Sequence, residues 1–200
     1  MIHALSSCLI LLAQAASPAA EAPSAPAGPV VVLETSMGRI RIGLYSDKAP
    51  ISVKNFMTYL RGGYYDGLIF HRVIKNFMIQ GGGFEPDMSE RPTRPPIRNE
   101  ARNGLRNKRG TLAMARTNAP DSATSQFFIN VQDNPRLDFG MMGAGYAVFG
   151  EVIEGMDVVD KIALVPTTTR GPYRDVPETP VVITRAREEP AARKPAAAKP

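Results

Sequence analysis

The sequence predicts a mainly β domain, a closed antiparallel barrel capped by two α-helices, on three observations. Many short β-branched and aromatic runs are bounded by Gly, Pro, Asn or Asp, and two longer runs carry apolar residues at helical spacing. Closing a sheet on itself also removes the exposed edges that so many strands would otherwise leave. The 200 residues, 44% hydrophobic and 22% charged, suit one globular unit with one sizeable core.

The chain opens without a carboxylate, Lys or Arg before Glu21, and residues 4–13 are apolar and small. That run is shorter than the roughly 20 residues a membrane-spanning helix needs. Ala13-Gln14-Ala15 supplies an A-x-A cleavage site, so residues 1–15 are expected to be a signal peptide, with a mature chain starting near Ala16 in the periplasm and no stable membrane insertion. Leu5-Ser6-Ser7-Cys8 resembles a lipoprotein box, but here the apolar run follows the cysteine instead of preceding it. Cys8 is the only cysteine, and cleavage at Ala15 would leave no thiol for disulfide or nucleophilic chemistry. Residues 16–28 are Ala, Pro, Ser and Gly with one Glu, a linker too poor in large apolar side chains to build a core.

Residues 29–187 form the expected domain, and 188–200 repeat the linker's character with added Lys, as a disordered tail. The formal charge of +5 is concentrated at that end: residues 185–200 carry five basic side chains against Glu188 and Glu189, leaving +2 for all the rest. A domain so nearly balanced lacks the concentrated basic face of a nucleic-acid binder.

Within the domain, runs at 30–35 and 39–45 flank Ser36-Met37-Gly38, and Arg39-Ile40-Arg41-Ile42 alternates as a half-buried strand should, which predicts a hairpin. Residues 51–61 follow Pro50, precede Gly62 and space Val53, Phe56, Met57 and Leu60 helically, so the first helix is set there. Further strands are expected at 68–74, 77–80, 111–115, 126–131, 147–152 and 181–185. A second helix is expected over 155–165, from Met156, Val159 and Ile162.

Much chemistry is excluded. An imidazole or thiolate metal site needs several His or Cys ligands, whereas the mature chain would keep only His71. No G-x-S-x-G elbow accompanies that histidine. Gly81-Gly82-Gly83 lacks both the Gly-Lys-Ser/Thr of a phosphate loop and the G-x-G-x-x-G of a dinucleotide site, so it reads as a bend or a close backbone contact. What survives is chemistry without nucleophile, metal or cofactor.

Three stretches then carry a resemblance. Phe70-His71-Arg72-Val73-Ile74-Lys75-Asn76-Phe77-Met78-Ile79-Gln80-Gly81-Gly82, Ser125-Gln126-Phe127-Phe128-Ile129 and Ala147-Val148-Phe149-Gly150 resemble, in order and spacing, the signatures of the cyclophilins. The segments 116–124 and 176–183 resemble the family's bacterial periplasmic branch. The resemblance implies an eight-stranded antiparallel barrel with two helices, and an enzyme that isomerises the peptide bond before proline in other polypeptides, working as a monomer without cofactor.

It also implies a site. Arg72 corresponds to a catalytic guanidinium, with Phe77 and Gln80 beside it; Phe77, Met78, Phe128 and Leu137 correspond to an apolar proline pocket. Gln80 and Gln126 match groups that hold the substrate backbone and position the arginine, while Ala115 and Asn118 lie where the residue before proline would run. Tyr146 stands where many relatives have histidine. Arg136 precedes Leu137-Asp138 where relatives carry Trp or Phe, and the chain has no Trp, so weak cyclosporin binding with preserved turnover is expected; a register shift at Asn134-Pro135 would instead leave Arg136 in solvent. His71 invites a general-base role, but isomerisation transfers no proton, so a structural part is expected. Two other classes remain: a non-catalytic binder or chaperone of proline segments, which the arginine argues against, and an envelope structural protein suggested by the tail alone.

Overall fold

The computed structural model describes residues 28–190, so the expected signal peptide, residues 16–27 of the linker and the tail from 191 lie outside the described residues. Eight strands form one antiparallel sheet: β1 (Val30–Thr35), β2 (Gly38–Leu44), β3 (Arg72–Ile74), β4 (Met78–Gly81), β5 (Thr111–Met114), β6 (Phe127–Asn130), β7 (Val148–Glu154) and β10 (Ile183–Glu188). Their spatial order is β10-β1-β2-β7-β5-β6-β4-β3. The first hairpin forms as the alternation predicts, with Thr35 paired to Gly38 across Ser36-Met37 and the Thr35 hydroxyl bonded to the Gly38 carbonyl at 2.7 Å.

No ladder joins the edge strands β3 and β10; the chain just before β3 meets the start of β10, where Phe70 N–H donates to Val181 O and Ile183 N–H to Leu68 O. The run expected as a strand over 68–74 is therefore strand only from Arg72, and Ile69 makes an isolated bridge to Val182. At the C-terminal end the sheet runs just past the expected 187, because β10 continues to Glu188 and the Glu189 backbone N–H donates to the Val30 carbonyl. The Glu189 carboxylate also bonds the Arg41 guanidinium at 2.7 Å.

Two helices cover the sheet. The first, α1 (Pro50–Arg61), has Pro at its start and no side-chain cap from Ala49. Its orphan N–H groups are met from far along the chain: Glu100 accepts from Ile51 N at 3.0 Å and from both Ser52 N and Ser52 Oγ at 2.7 Å. The second, α2 (Met156–Ile162), stops short of the expected 165, its end tightening into turns in which Leu164 N–H donates to Lys161 O and Val165 N–H to Ile162 O. Val53, Phe56, Met57 and Leu60 of α1, with Val158, Val159 and Ile162 of α2, pack on one face of the sheet to make the main core. Phe56 anchors it, stacked on Tyr65 at 5.0 Å and meeting Phe127 edge-on at 5.5 Å.

A second, two-stranded sheet was not predicted. β8 (Thr167–Arg170) and β9 (Tyr173–Pro177) pair across Gly171-Pro172, with Gly171 at φ +57, a value that suits glycine at the first position of a tight hairpin turn. β8 is largely exposed and β9 buries only Val176 and Pro177 at its end, so no apolar alternation marks either strand.

Candidate active site

Alternation along the strands sorts side chains between two faces. Val73, Ile79, Leu112, Ile129 and Phe149 face the main core, so their neighbours face away from it. On that outer face the register sets Arg72 opposite Gln80, Gln80 opposite Phe128, and Phe128 opposite Ala113. Met78, Ala113, Ala115, Phe128 and Val148 make a separate small apolar cluster there, with Phe77, Leu137 and Tyr146 against it. One cross-strand row thus runs from a cation through amides to an apolar seat.

A cleft of about 680 Å³ opens over this row. Nine of the sequence-predicted residues line it: Arg72, Gln80 and Gln126 on its polar side, Phe77, Met78, Phe128 and Leu137 in its apolar part, and Ala115 and Tyr146 beyond. Tyr146 meets Phe128 edge-on at 5.6 Å. Phe77 and Leu137 are fixed by a buried amide network: Asn134 Nδ2 donates to Phe77 O at 3.0 Å and to Asn130 Oδ1 at 2.7 Å, and Tyr146 N–H donates to Leu137 O. The glycine run is a close-contact device, as its reading as a bend predicts. Gly82 has φ +85, and a Cβ on Gly83 would lie 2.7 Å from the Gln126 side chain.

Two expectations need correction, those for Asn118 and for Gln80 as the anchor of Arg72. Asn118 does not line the cleft: residues 117–122 close on themselves through Thr117 N to Ser122 Oγ (2.9 Å) and Ser122 Oγ to Ala119 O (2.7 Å), leaving Asn118 exposed. Arg116 lines it instead, its guanidinium 4.5 Å over the Tyr146 ring and its Nε bonded to Gly145 O. Arg136, on the 3₁₀ turn Pro135–Leu137, is exposed and lines a neighbouring hollow of about 520 Å³ that shares Phe77 and Leu137 with the cleft. Gln80 does not anchor Arg72: its amide donates to Gln126 Oε1 at 2.9 Å, and among the described residues Arg72 makes no side-chain hydrogen bond.

The sequence reasoning also missed the wall formed by Pro172, Tyr173, Arg174 and Asp175 of the β8–β9 hairpin, and Phe84 behind it. Asp175 Oδ2 stands 3.8 Å from Arg72 Nε. The turn dipeptide Gly171-Pro172 after three β-branched threonines was the available signal; Arg116 needed only one further step from Ala115.

His71 is buried, packed on Phe84 at a ring separation of 4.5 Å, with Nδ1 unpartnered. Burial, helped by the Arg72 charge, lowers its pKa from 6.5 to about 4. It is therefore neutral at physiological pH. Among the described residues no three His, Cys, Asp or Glu side chains stand together as a metal site.

Comparison with known proteins gives a consistent result. Residues 30–188 match the family model described as cyclophilin type peptidyl-prolyl cis-trans isomerase/CLD. A peptidyl-prolyl cis-trans isomerase of Acinetobacter baylyi is 63% identical over 78% of this chain and 84% of its own. Peptidyl-prolyl cis-trans isomerase B of Escherichia coli is 58% identical over 77% of this chain and 96% of its own. Among solved structures, a Cryptosporidium parvum cyclophilin type isomerase crystallised in the presence of the dipeptide Ala-Pro superposes with TM-score 0.68 at 26% identity, covering 80% of this chain and 99% of that one. The eight-stranded sheet, the cation-to-apolar row on its outer face and these matches lead to one assignment: the chain belongs to the cyclophilin family of peptidyl-prolyl cis-trans isomerases.

Proposed function

We propose that this isomerase acts on X-Pro bonds of exported polypeptides in the periplasm, with Arg72 stabilising the twisted amide over the apolar seat of Phe77, Met78, Phe128 and Leu137. The observation that carries this reading is the cross-strand row in which a guanidinium, two paired amides and an apolar hollow share one face.

Cis and trans are nearly isoenergetic before proline, but amide resonance sets a barrier of about 18–20 kcal/mol. Twisting the C–N bond breaks that resonance and returns electron density to the proline nitrogen, which becomes a better hydrogen-bond acceptor. A donor aimed there stabilises the twisted state more than either planar one, which is the condition for catalysis. The apolar seat adds to this, since the charge-separated planar amide loses solvation on entering it. Shortening a ten-second event to a millisecond takes about 5.5 kcal/mol, within reach of one charge-assisted hydrogen bond combined with desolvation and orientation. Arg72 suits the task because its fork is always charged and has no hydrogen-bond partner among the described residues. Gln80 and Gln126, locked to each other, leave one amide group each for the substrate backbone. His71, buried and neutral, supports the Phe84 side of the cleft.

The Ala-Pro dipeptide used with the Cryptosporidium relative supports a proline-containing ligand, and Ala13-Gln14-Ala15 supports export. The test is isomerisation of a short X-Pro peptide with and without the protein. Acceleration in proportion to enzyme concentration supports the proposal; saturable binding without acceleration makes the domain a proline-segment binder.

A further inference from the structure

We propose that Asp175 is a positioning residue for Arg72, holding the guanidinium from its Nε side so that the Nη fork faces the apolar seat. This rests on the arginine mechanism proposed above.

Arg72 lies on the edge strand β3, which has a ladder partner on one side only. Its side chain is 44% exposed, and its cross-strand neighbour Gln80 is committed to Gln126. Nothing on its own sheet fixes the guanidinium. On its open side stands the β8–β9 hairpin, whose Pro172–Asp175 segment forms a wall of the same cleft. The hairpin is held there by an aromatic chain: Tyr173 meets Phe84 edge-on at 5.0 Å, and Phe84 packs on His71, the residue next to Arg72. Its carboxylate is therefore set at a defined place relative to β3.

Asp175 has φ +60, one of three non-glycine residues with positive φ among those described. Asp and Asn tolerate this conformation better than other side chains, and strained backbone clusters at functional sites. Asp175 Oδ2 approaches Arg72 Nε at 3.8 Å, and Arg72 is the one cation in ion-pair range of it among the described residues. Arg170, on the same hairpin, donates to Glu178 O instead. With both partners over 40% exposed, such a pair does little for fold stability, so its effect on orientation can be separated from folding. Restricting a long, rotatable side chain to one orientation raises the fraction of encounters in which its donor meets the twisted amide.

Asp175→Asn keeps the backbone preference and removes the charge. On an X-Pro peptide it is expected to lower kcat about fivefold with KM and thermal midpoint little changed. Arg72→Ala and the double variant complete a cycle, in which Asp175→Asn costs nothing once Arg72 is gone. Side-chain 15N NMR supplies a second readout: the Arg72 Nε–H exchanges with water more slowly in the parent than in Asp175→Asn. Unchanged turnover and exchange in Asp175→Asn, or an equal loss in both backgrounds, overturns the proposal alone. Full activity in Arg72→Ala overturns the arginine mechanism and this proposal with it.

Discussion

Acidification should destabilise this fold through His71 before most carboxylates titrate. The buried imidazole has its pKa lowered from 6.5 to about 4, chiefly by desolvation and then by Arg72, while the Ile69 carbonyl and Gln126 act more weakly the other way. Between those two values the unfolded chain binds a proton that the native protein refuses, so stability falls as pH falls. The contribution is complete above about pH 6.5 and lost progressively toward pH 4. A displacement of two to three pH units at 1.36 kcal/mol each gives a loss of about 3 kcal/mol across that window. Urea unfolding at pH 7, 5.5 and 4 on the parent and on His71→Gln measures it. Whatever the variant's own stability at pH 7, its decline to pH 4 should be smaller than the parent's by about 3 kcal/mol. Parallel declines would show that the histidine is protonated or solvated in the native protein and that its burial has been misread.

Three other outcomes are expected. Glu100→Ala should lower unfolding free energy by about 1–2 kcal/mol, because it strips the acceptor from two orphan N–H groups and a hydroxyl at the start of α1; an unchanged urea midpoint would refute that cap. Cyclosporin should inhibit weakly, since no tryptophan borders the cleft and Arg136 lies in the adjoining hollow, and Arg136→Trp should tighten inhibition with little change in turnover. Tight inhibition of the parent would contradict this. Mass spectrometry of protein recovered from the cell envelope should find a mature chain beginning near Ala16, whereas an intact Met1 in the cytosol would remove the export reading.

What the sequence made legible follows from where signals are local. Alternation at Arg39-Ile40-Arg41-Ile42 marks β2 because one face is buried and the other wet, and Val53, Phe56, Met57 and Leu60 mark α1 by the same logic at helical period. The cleft was legible only through the resemblance of three short stretches to the cyclophilins; the register that sets Arg72, Gln80 and Phe128 in one row is visible only in the fold. The β8–β9 hairpin was not: Thr167, Thr168 and Thr169 are exposed, and the pairing is carried by backbone bonds that leave no side-chain pattern. The partners Asp175 for Arg72 and Glu100 for α1 were equally hidden, each meeting its target through folding across many tens of residues. Asn118 was misjudged because it sits on a turn, where the direction of a side chain depends on local hydrogen bonds such as Thr117 to Ser122.

The account turns on the guanidinium of Arg72, and catalytic efficiency of Arg72→Ala on an X-Pro peptide tests it most directly. Because Arg72 is partly exposed and engaged only at 3.8 Å, its removal should leave the circular dichroism spectrum and melting temperature close to the parent's. Loss of one transition-state hydrogen bond predicts a fall in kcat/KM of at least about a hundredfold, equivalent to about 2.7 kcal/mol. Arg72→Lys should be nearly as impaired, since an ammonium cannot present the same planar fork. A folded Arg72→Ala protein retaining most of the parent's kcat/KM would contradict the mechanism.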